Sequence, residues 1–306
     1  MFTFVVMAQS IEEVGAEYND GNSFYKEKDY TNAITSYEAG IELANDVGFE
    51  ADDLKGKMET QLMNAYYKNG LQYKKIGLGA AIASLEEAYA LSGELSDDAM
   101  KNKSASVISK LRAAKGNSFL KKDKIEEAFA EYEMALEINP SCVKAYYGKG
   151  LVYKSKGDYT NMIVNMNKVI EVGADNPKAA KTVKKAKSTT SKTLVNAGAK
   201  EIQREHGKKA AEYINLSFNY APGKANAYYY LALAYNNTSS WDDAIASANK
   251  AIALEADDKG DMYFALGQAY EGKGDATGAC TAYKSVTTGP NVEAAKYQME
   301  QVLKCN

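Results

Sequence analysis

Between Gly116 and Pro140, small and large apolar residues recur at helical spacing. Gly116 and Phe119 share one face of a first segment, and Ala128, Tyr132 and Ala135 follow at three- and four-residue steps on a second. Pro140 cannot continue a helix and closes the second segment. A glycine on one helix and alanines on the other let two backbones approach closely while Phe119 and Tyr132 fill the remaining space, so the pattern predicts a helical hairpin. The same arrangement returns about 34 residues later.

The pattern can be followed along the chain. From Ile11 a first helix turns Val14, Gly21 and Phe24 toward a second that carries Ala33, Tyr37 and Ile41, after a turn at 28–30. A polar helix start over 52–61 then leads to Tyr66, Gly70 and Tyr73, and Ala81, Leu85 and Ala88 mark the partner helix. The turn between them, at 77–79, is one residue short, which predicts an altered crossing. Residues 92–103 read as a polar connector. Two regular hairpins follow over 110–141 and 143–176, but the second has Met162, Met166 and Val169 where small or aromatic residues are expected. After Pro177 a lysine-rich insertion lengthens the next first helix before Leu194, Gly198 and Ile202 resume the pattern, with Ala210, Ile214 and Pro222 completing that hairpin. The sixth and seventh run from Ala225 to about Gly289, the last marked by Tyr263, Leu266, Gly267, Tyr270, Ala279 and Tyr283. A final helix, with Asn291 as N-cap, places Val292, Ala295, Met299, Val302 and Leu303 on one side and reads as a solvating cap. The irregular stretch 162–192 predicts a bend or hinge, dividing the chain into an array over 11–176 and a second over 177–306.

The segments VKAYYGKGLVYKSKGDY, from Val143, and ANAYYYLALAYNNTSSWDDAIASANKAIALEADD, from Ala225, resemble tetratricopeptide (TPR) repeats. In the second, Tyr228, Leu231, Ala232 and Tyr235 stand at the family's aromatic, aliphatic, small and aromatic positions, and Ala244 and Ala251 at its small ones. The resemblance covers most of the chain. It implies an all-α, right-handed superhelical solenoid of about seven helical hairpins plus a C-terminal capping helix. It is specific to the fold and not to a function, because the surface residues of such families are the variable ones.

In this family the first helix of each hairpin lines the concave face. Counted from the small residue of each hairpin, one column reads Tyr18, Tyr67, Ala113, Tyr147, Val195, Tyr229 and Phe264. Neighbouring columns supply Asn22, Asn117, Asn236 and Gln268, which can pair with a peptide backbone, and Lys74, Lys121 and Lys154, which favour carboxylates. The expectation is a noncatalytic scaffold that holds an extended peptide or a partner's helix on this face. The alternative is a structural or assembly subunit of an envelope complex that associates through its outer edges and cap. Chaperone-binding members grip a C-terminal carboxylate between lysine, asparagine and arginine side chains. Asn117 and Lys192 match two of those places, but Ala113, Gly148 and Asn196 depart from it, so that clamp is not expected.

Composition narrows the chemistry. The net charge of −3 argues against nonspecific nucleic-acid binding, although 178–192 is locally basic. No apolar run approaches the roughly 20 residues that span a bilayer, so no membrane insertion is expected. His206 is the single histidine and reads as a solvated residue at a charged helix end. With Cys142, Cys280 and Cys305 it offers no ligand spacing for a metal, and no nucleophile, base and orienting group assemble into a catalytic set. No cofactor is expected, and the acidic pairs at Asp52 and Asp53 and at Asp257 and Asp258 read as solvated loop ends. Whether Cys280 and Cys305 pair stays open. The start, MFTFVVMAQS, turns from apolar to polar at Gln9, with Val6 and Ala8 spaced like the end of a secretory signal. Residues 1–10 are read as a signal remnant, or else as an apolar first turn packed on the array. The former resembles exported tetratricopeptide proteins of Gram-negative bacteria and implies a periplasmic or otherwise exported location. The latter leaves the protein cytoplasmic.

Overall fold

The computed structural model describes residues 10–305, and among these it contains fifteen α-helices and no strand. In chain order they are α1 (Ile11–Glu27), α2 (Tyr30–Val47), α3 (Asp52–Tyr73), α4 (Leu78–Glu94), α5 (Asp98–Leu120), α6 (Ile125–Ile138), α7 (Val143–Ser155), α8 (Tyr159–Gly173), α9 (Ala180–Ile202), α10 (Gly207–Ser217), α11 (Ala225–Asn237), α12 (Trp241–Leu254), α13 (Gly260–Lys273), α14 (Ala276–Lys284) and α15 (Val292–Tyr297). The chain forms two compact units that divide after Val152, inside α7. In the first, α1 pairs with α2, α3 with α4 and α5 with α6. In the second, α9 pairs with α10, α11 with α12 and α13 with α14, while α8 packs on α9. With α7 and α8 the order is that of seven hairpins and a terminal cap.

The turns explain why consecutive helices fold back on each other. Lys28, Asp123, Gly157, Glu205, Ser239 and Gly274 all have positive φ, and each is followed by the N-cap residue of the next helix. In every case the next amide reaches back five residues, for example Asp29 N–H to the Phe24 carbonyl at 2.9 Å and Asp275 N–H to the Tyr270 carbonyl at 2.9 Å. This bond closes the first helix with a left-handed residue. Asp29, Asp158 and Asp275 then cap the following helix by accepting from Asn32 N, Asn161 N and Gly278 N. The short turn after α3 lacks the left-handed residue, and Gly77 N–H bonds to the Tyr73 carbonyl at 2.9 Å instead.

Packing within a pair depends on a missing side chain opposite a large one. Sixteen residues separate Gly21 from Tyr37, Gly116 from Tyr132, Gly198 from Ile214 and Gly267 from Tyr283, and each of these partners touches the space where a Cβ would stand. At the short turn the interval drops by one, and Leu85 meets Gly70. Tyr37, Tyr132 and Tyr283 are fully buried, and burial pushes the phenols of Tyr37 and Tyr132 up to about 12. Tyr132 is held from two sides, because a Cβ on Gly116 would lie 2.7 Å from its Cε1 and one on Gly148 of α7 only 2.3 Å. Met162, Met166 and Val169 of α8 are also fully buried.

Two stretches differ from the sequence reading. Residues 92–103 are not a connector: Asp97 accepts from Met100 N at 2.8 Å and starts α5 there, and Met100, Ser104 and Ala105 are buried. The terminal helix changes after Tyr297 into a π-helical turn over Gln298–Val302. Ala295 stays buried, with Val292, Met299 and Leu303 packed around it and Tyr283, but the wider turn rotates Val302 outward to 48% exposure. Asn291 holds the N-cap position without capping, since its Nδ2 donates to Asp261 Oδ1 at 2.9 Å. Cys305 bonds to Cys280 of α14 and so ties the cap to the last hairpin, while Cys142 is buried and free.

The double contact on Tyr132 gives a specific expectation. Gly148→Ala overpacks the ring and lowers stability by about 1–3 kcal/mol in urea denaturation. In a Tyr132→Leu background the same change costs clearly less, because the two positions are coupled. Equal costs in both backgrounds mean that Tyr132 does not occupy the space beside Gly148.

Candidate functional site

First helices of successive hairpins touch one another directly, α1 with α3 in the first unit and α9 with α11 and α11 with α13 in the second. The column drawn from the sequence lies along these helices. Tyr18, Tyr147, Tyr229 and Phe264 are half-buried. Tyr18 packs on the first core cluster and lines a recess of about 380 Å³ with Asp53, Lys57 and Gln61 of α3. Tyr229 packs against Ala251 and Met262, and burial, then the nearby Asp261 and Tyr230, push its phenol up to about 12. Phe264 leans on Tyr283 with ring centroids 5.5 Å apart. Tyr18, Tyr229 and Phe264 are thus each anchored by the core and only partly covered.

Other expected contacts serve the fold. Tyr67 is 5% exposed and sits in the second core cluster, beneath Lys103 Nζ at 4.6 Å from its ring centre. The early start of α5 brings that lysine there, so Tyr67 is not offered to a partner. Ala113 and Val195 of the same column are buried too. Asn22 and Asn117 accept hydrogen bonds from the buried phenols of Tyr37 and Tyr132, at 2.9 and 2.7 Å. Their Oδ1 atoms satisfy hydroxyls that burial would otherwise leave without an acceptor. Asn236 Nδ2 donates to the Ala265 carbonyl at 3.0 Å and links α11 to α13, while its Oδ1 is buried without a partner. Gln268 is exposed on α13. Lys74 and Lys121 are the C-cap residues of α3 and α5, and Lys154 lies in the last turn of α7. All three are exposed at the negative end of a helix dipole, which accounts for lysine at these positions without a ligand. Gly148 departs from the carboxylate clamp for a steric reason, since any side chain there meets Tyr132.

Two charged clusters have no counterpart in the sequence reading. Glu131 of α6 is buried and pairs with Arg112 Nη1 at 3.1 Å and with Lys115, while Arg112 also pairs with Glu86 of α4. An acid three residues from Ala128 and four from Ala135, on the packing face of α6, is the signal that marks it. Glu201, nearly buried at the end of α9, accepts from His206 Nδ1 at 2.8 Å and lies near Arg204 and Lys209. His206 is therefore exposed but engaged, in the N-cap position of α10. Among the described residues no three His, Cys, Asp or Glu side chains gather as metal ligands, and no helix is long and apolar enough to cross a membrane. Asp258 accepts from Thr288 Oγ1 and from Gly260 N, and both bonds hold its carboxyl below the usual range.

Comparison with known proteins identifies the repeat type. A family model described as TPR repeat matches residues 116–157, and two described as tetratricopeptide repeat match residues 143–176 and 239–292. These segments are similar to tetratricopeptide repeats. Among solved structures, the chain is similar to a tetratricopeptide repeat protein from Parabacteroides merdae ATCC 43184, at 18% identity over 96% of this chain and 100% of that chain, with a TM-score of 0.32. It is similar to YrrB, described as a TPR protein with an unusual peptide-binding site, at 19% identity over 62% of this chain and 91% of that one, with a TM-score of 0.40. A third is the TPR2AB domain of yeast Sti1 in its pHSP90 complex, at 19% identity over 96% and 97%, with a TM-score of 0.33.

The His206 contact makes the α9–α10 turn sensitive to acid. The hydrogen bond from His206, followed by Lys209 and Arg204, holds the Glu201 carboxyl below its ordinary value near 4.5. A depressed carboxyl contributes stability that is complete above the unfolded value and is lost as pH falls through the folded one. Glu201→Gln therefore lowers the Tm at about pH 6, and the difference from the parent shrinks as pH is taken down to about 3. A difference that does not change over that range removes the carboxylate from the account.

Proposed function

We propose that this chain is a noncatalytic binding scaffold, which holds an extended peptide or a partner's helix against the surface made by its first helices. The observation that carries this reading is the set of half-buried aromatics on those helices, Tyr18, Tyr147, Tyr229 and Phe264. Rings fixed by the core on one side give contact area at little entropic cost, which is what an anchor at an interface needs. Gln268 adds an exposed amide beside Phe264. A second reading, an assembly subunit, draws on the cap: Tyr297 is 60% exposed and Val302 48% on a segment that Cys280 and Cys305 hold in place.

Affinity capture from native extract followed by peptide mapping separates the two. Tyr147→Ala and Tyr229→Ala are expected to lose the captured partner by tenfold or more while the melting curve keeps its cooperative shape. A partner retained by both variants and lost when 291–306 is deleted supports assembly through the cap instead.

We also propose a periplasmic or otherwise exported location, with Gln9 as the first residue after signal removal. That start lies outside the described residues. Support comes from the Cys280–Cys305 bond, since such bonds persist in oxidising compartments. Protein purified from its source cell under thiol-blocking conditions should begin at Gln9 and carry alkylated Cys142 only after denaturation, with Cys280 and Cys305 unmodified until reduced. A retained Met1 with three free thiols puts the chain in the cytoplasm.

A further inference from the structure

Helix α9 has 23 residues and its partner α10 has 11. Because Gly198 meets Ile214, α10 covers the C-terminal half of α9 and the N-terminal turns extend past it. Beside this overhang, the end of α8 and the α10–α11 connection enclose a groove of about 850 Å³. Its walls are apolar, with Ile170, Val183, Ala221 and Pro222 beside the ring of Tyr220. The Tyr220 hydroxyl donates to Asn167 Oδ1 at 2.9 Å, so that wall is fixed before any ligand arrives. A volume of this size accepts one or two bulky side chains.

The rim is cationic. Lys184 and Lys187 line the groove, and Lys178, Lys181 and Lys185 lie on the same stretch. Lys192 lines an adjoining cavity of about 460 Å³ that shares Ser188, Ala221 and Pro222 with the first. No Asp or Glu occurs from 177 to 200, and among the described residues none of these six lysines has a carboxylate within ion-pair distance. Asp175, at one end, is the single acid of the lining.

This arrangement is unfavourable to the helix that carries it. Lys181, Lys184, Lys185 and Lys187 repel at three- and four-residue spacing, and their charges lie toward the positive end of the helix dipole. Four other helices do the reverse, with Glu12 and Glu13, Asp52 and Asp53, Glu126 and Glu127, and Asp242 and Asp243 in their first turns. No ion pair among the described residues offsets this cost on α9, which leaves these lysines available to carboxylates from outside the chain. The net charge of −3 disfavours a long polyanion, and a concave apolar floor neither fits a flat lipid surface nor suits a phosphate backbone.

We propose that this groove takes a short acidic segment of a partner protein, with a bulky apolar side chain seated between Val183 and Pro222 and its carboxylates on Lys184 and Lys187. The site is separate from Tyr229 and Phe264 and does not rest on the scaffold reading of the first helices.

Fluorescence polarisation with the full chain tests it, using a fluorescein-labelled peptide that alternates glutamate with leucine. The comparison probes are the same peptide with serine for leucine, the same with lysine for glutamate, oligo-dT and phosphatidylglycerol vesicles. The glutamate–leucine peptide should bind, with the serine and lysine versions at least about tenfold weaker. Raised salt should weaken it. Lys184→Glu with Lys187→Glu should cost about tenfold or more. If the charge reversal does not fold, Lys184→Gln with Lys187→Gln gives the same comparison. The proposal is overturned if the peptide does not bind, if binding survives both lysine variants, or if oligo-dT or the vesicles bind as tightly and displace it.

Discussion

A tyrosine ring lying in the space left by a glycine sets the geometry on which the hairpins depend. At Tyr37, Tyr132 and Tyr283 the ring fills a gap that exists because Gly21, Gly116 and Gly267 have no Cβ. Close approach alone does not suffice, because a buried phenol without an acceptor costs on the order of 1–3 kcal/mol. The chain supplies one each time, Asn22, Asn117 and Glu271. The residue beside the glycine is thereby committed to the fold in two of three cases, and its amide is oriented by the core before any partner is considered. Tyr132 goes further: with Gly148 on its far side, the same ring that closes one hairpin fixes where α7 can lie.

This explains which parts of the reading were visible in the sequence. Period, pairing, the short turn and the lengthened ninth helix follow from local pattern, since each depends on residues within one hairpin. The amides at 22 and 117 could not be assigned so easily, because an asparagine beside a packing glycine looks the same whether it faces a peptide or a phenol. Tyr67 was misread for a different reason. Taking 92–103 as a connector removed the first turns of α5 from the picture, and with them Lys103, which covers the Tyr67 ring. The N-cap signal was present, in Asp97 followed by Met100 and the small residues Ser104 and Ala105, but its polar surroundings masked it. Val302 failed through the period itself, since a π turn breaks the 3.6-residue count on which its placement relied.

Charge is handled in two opposite ways along the chain. Glu131 is buried, and Arg112 and Lys115 converge on it, with Arg112 also reaching Glu86 on the preceding hairpin. A buried acid so surrounded specifies which hairpin stacks on which, because moving either helix strands an ion in a poorly solvating site. Glu201 does the same on a smaller scale for the α9–α10 turn. In both places like and unlike charges are balanced within a few ångströms.

The overhang of α9 is where that balance stops. An insertion in a first helix need not alter the pairing within its hairpin, because Gly198 and Ile214 restore the regular contact beyond it. It need not be basic either, since a solvated helix extension is served as well by mixed charges, which repel less and favour the helix more. Yet the insertion is uniformly cationic at the helix end where acids are preferred, and it borders an apolar groove whose tyrosine wall is already fixed by Asn167. Folding explains the length of α9 at its packed end but neither the sign of its charge nor the exposed apolar floor beside it. A residue pattern that the fold leaves unexplained, next to a preformed cavity, points to selection by a ligand, and the chemistry of both features together specifies one that is acidic and apolar at once.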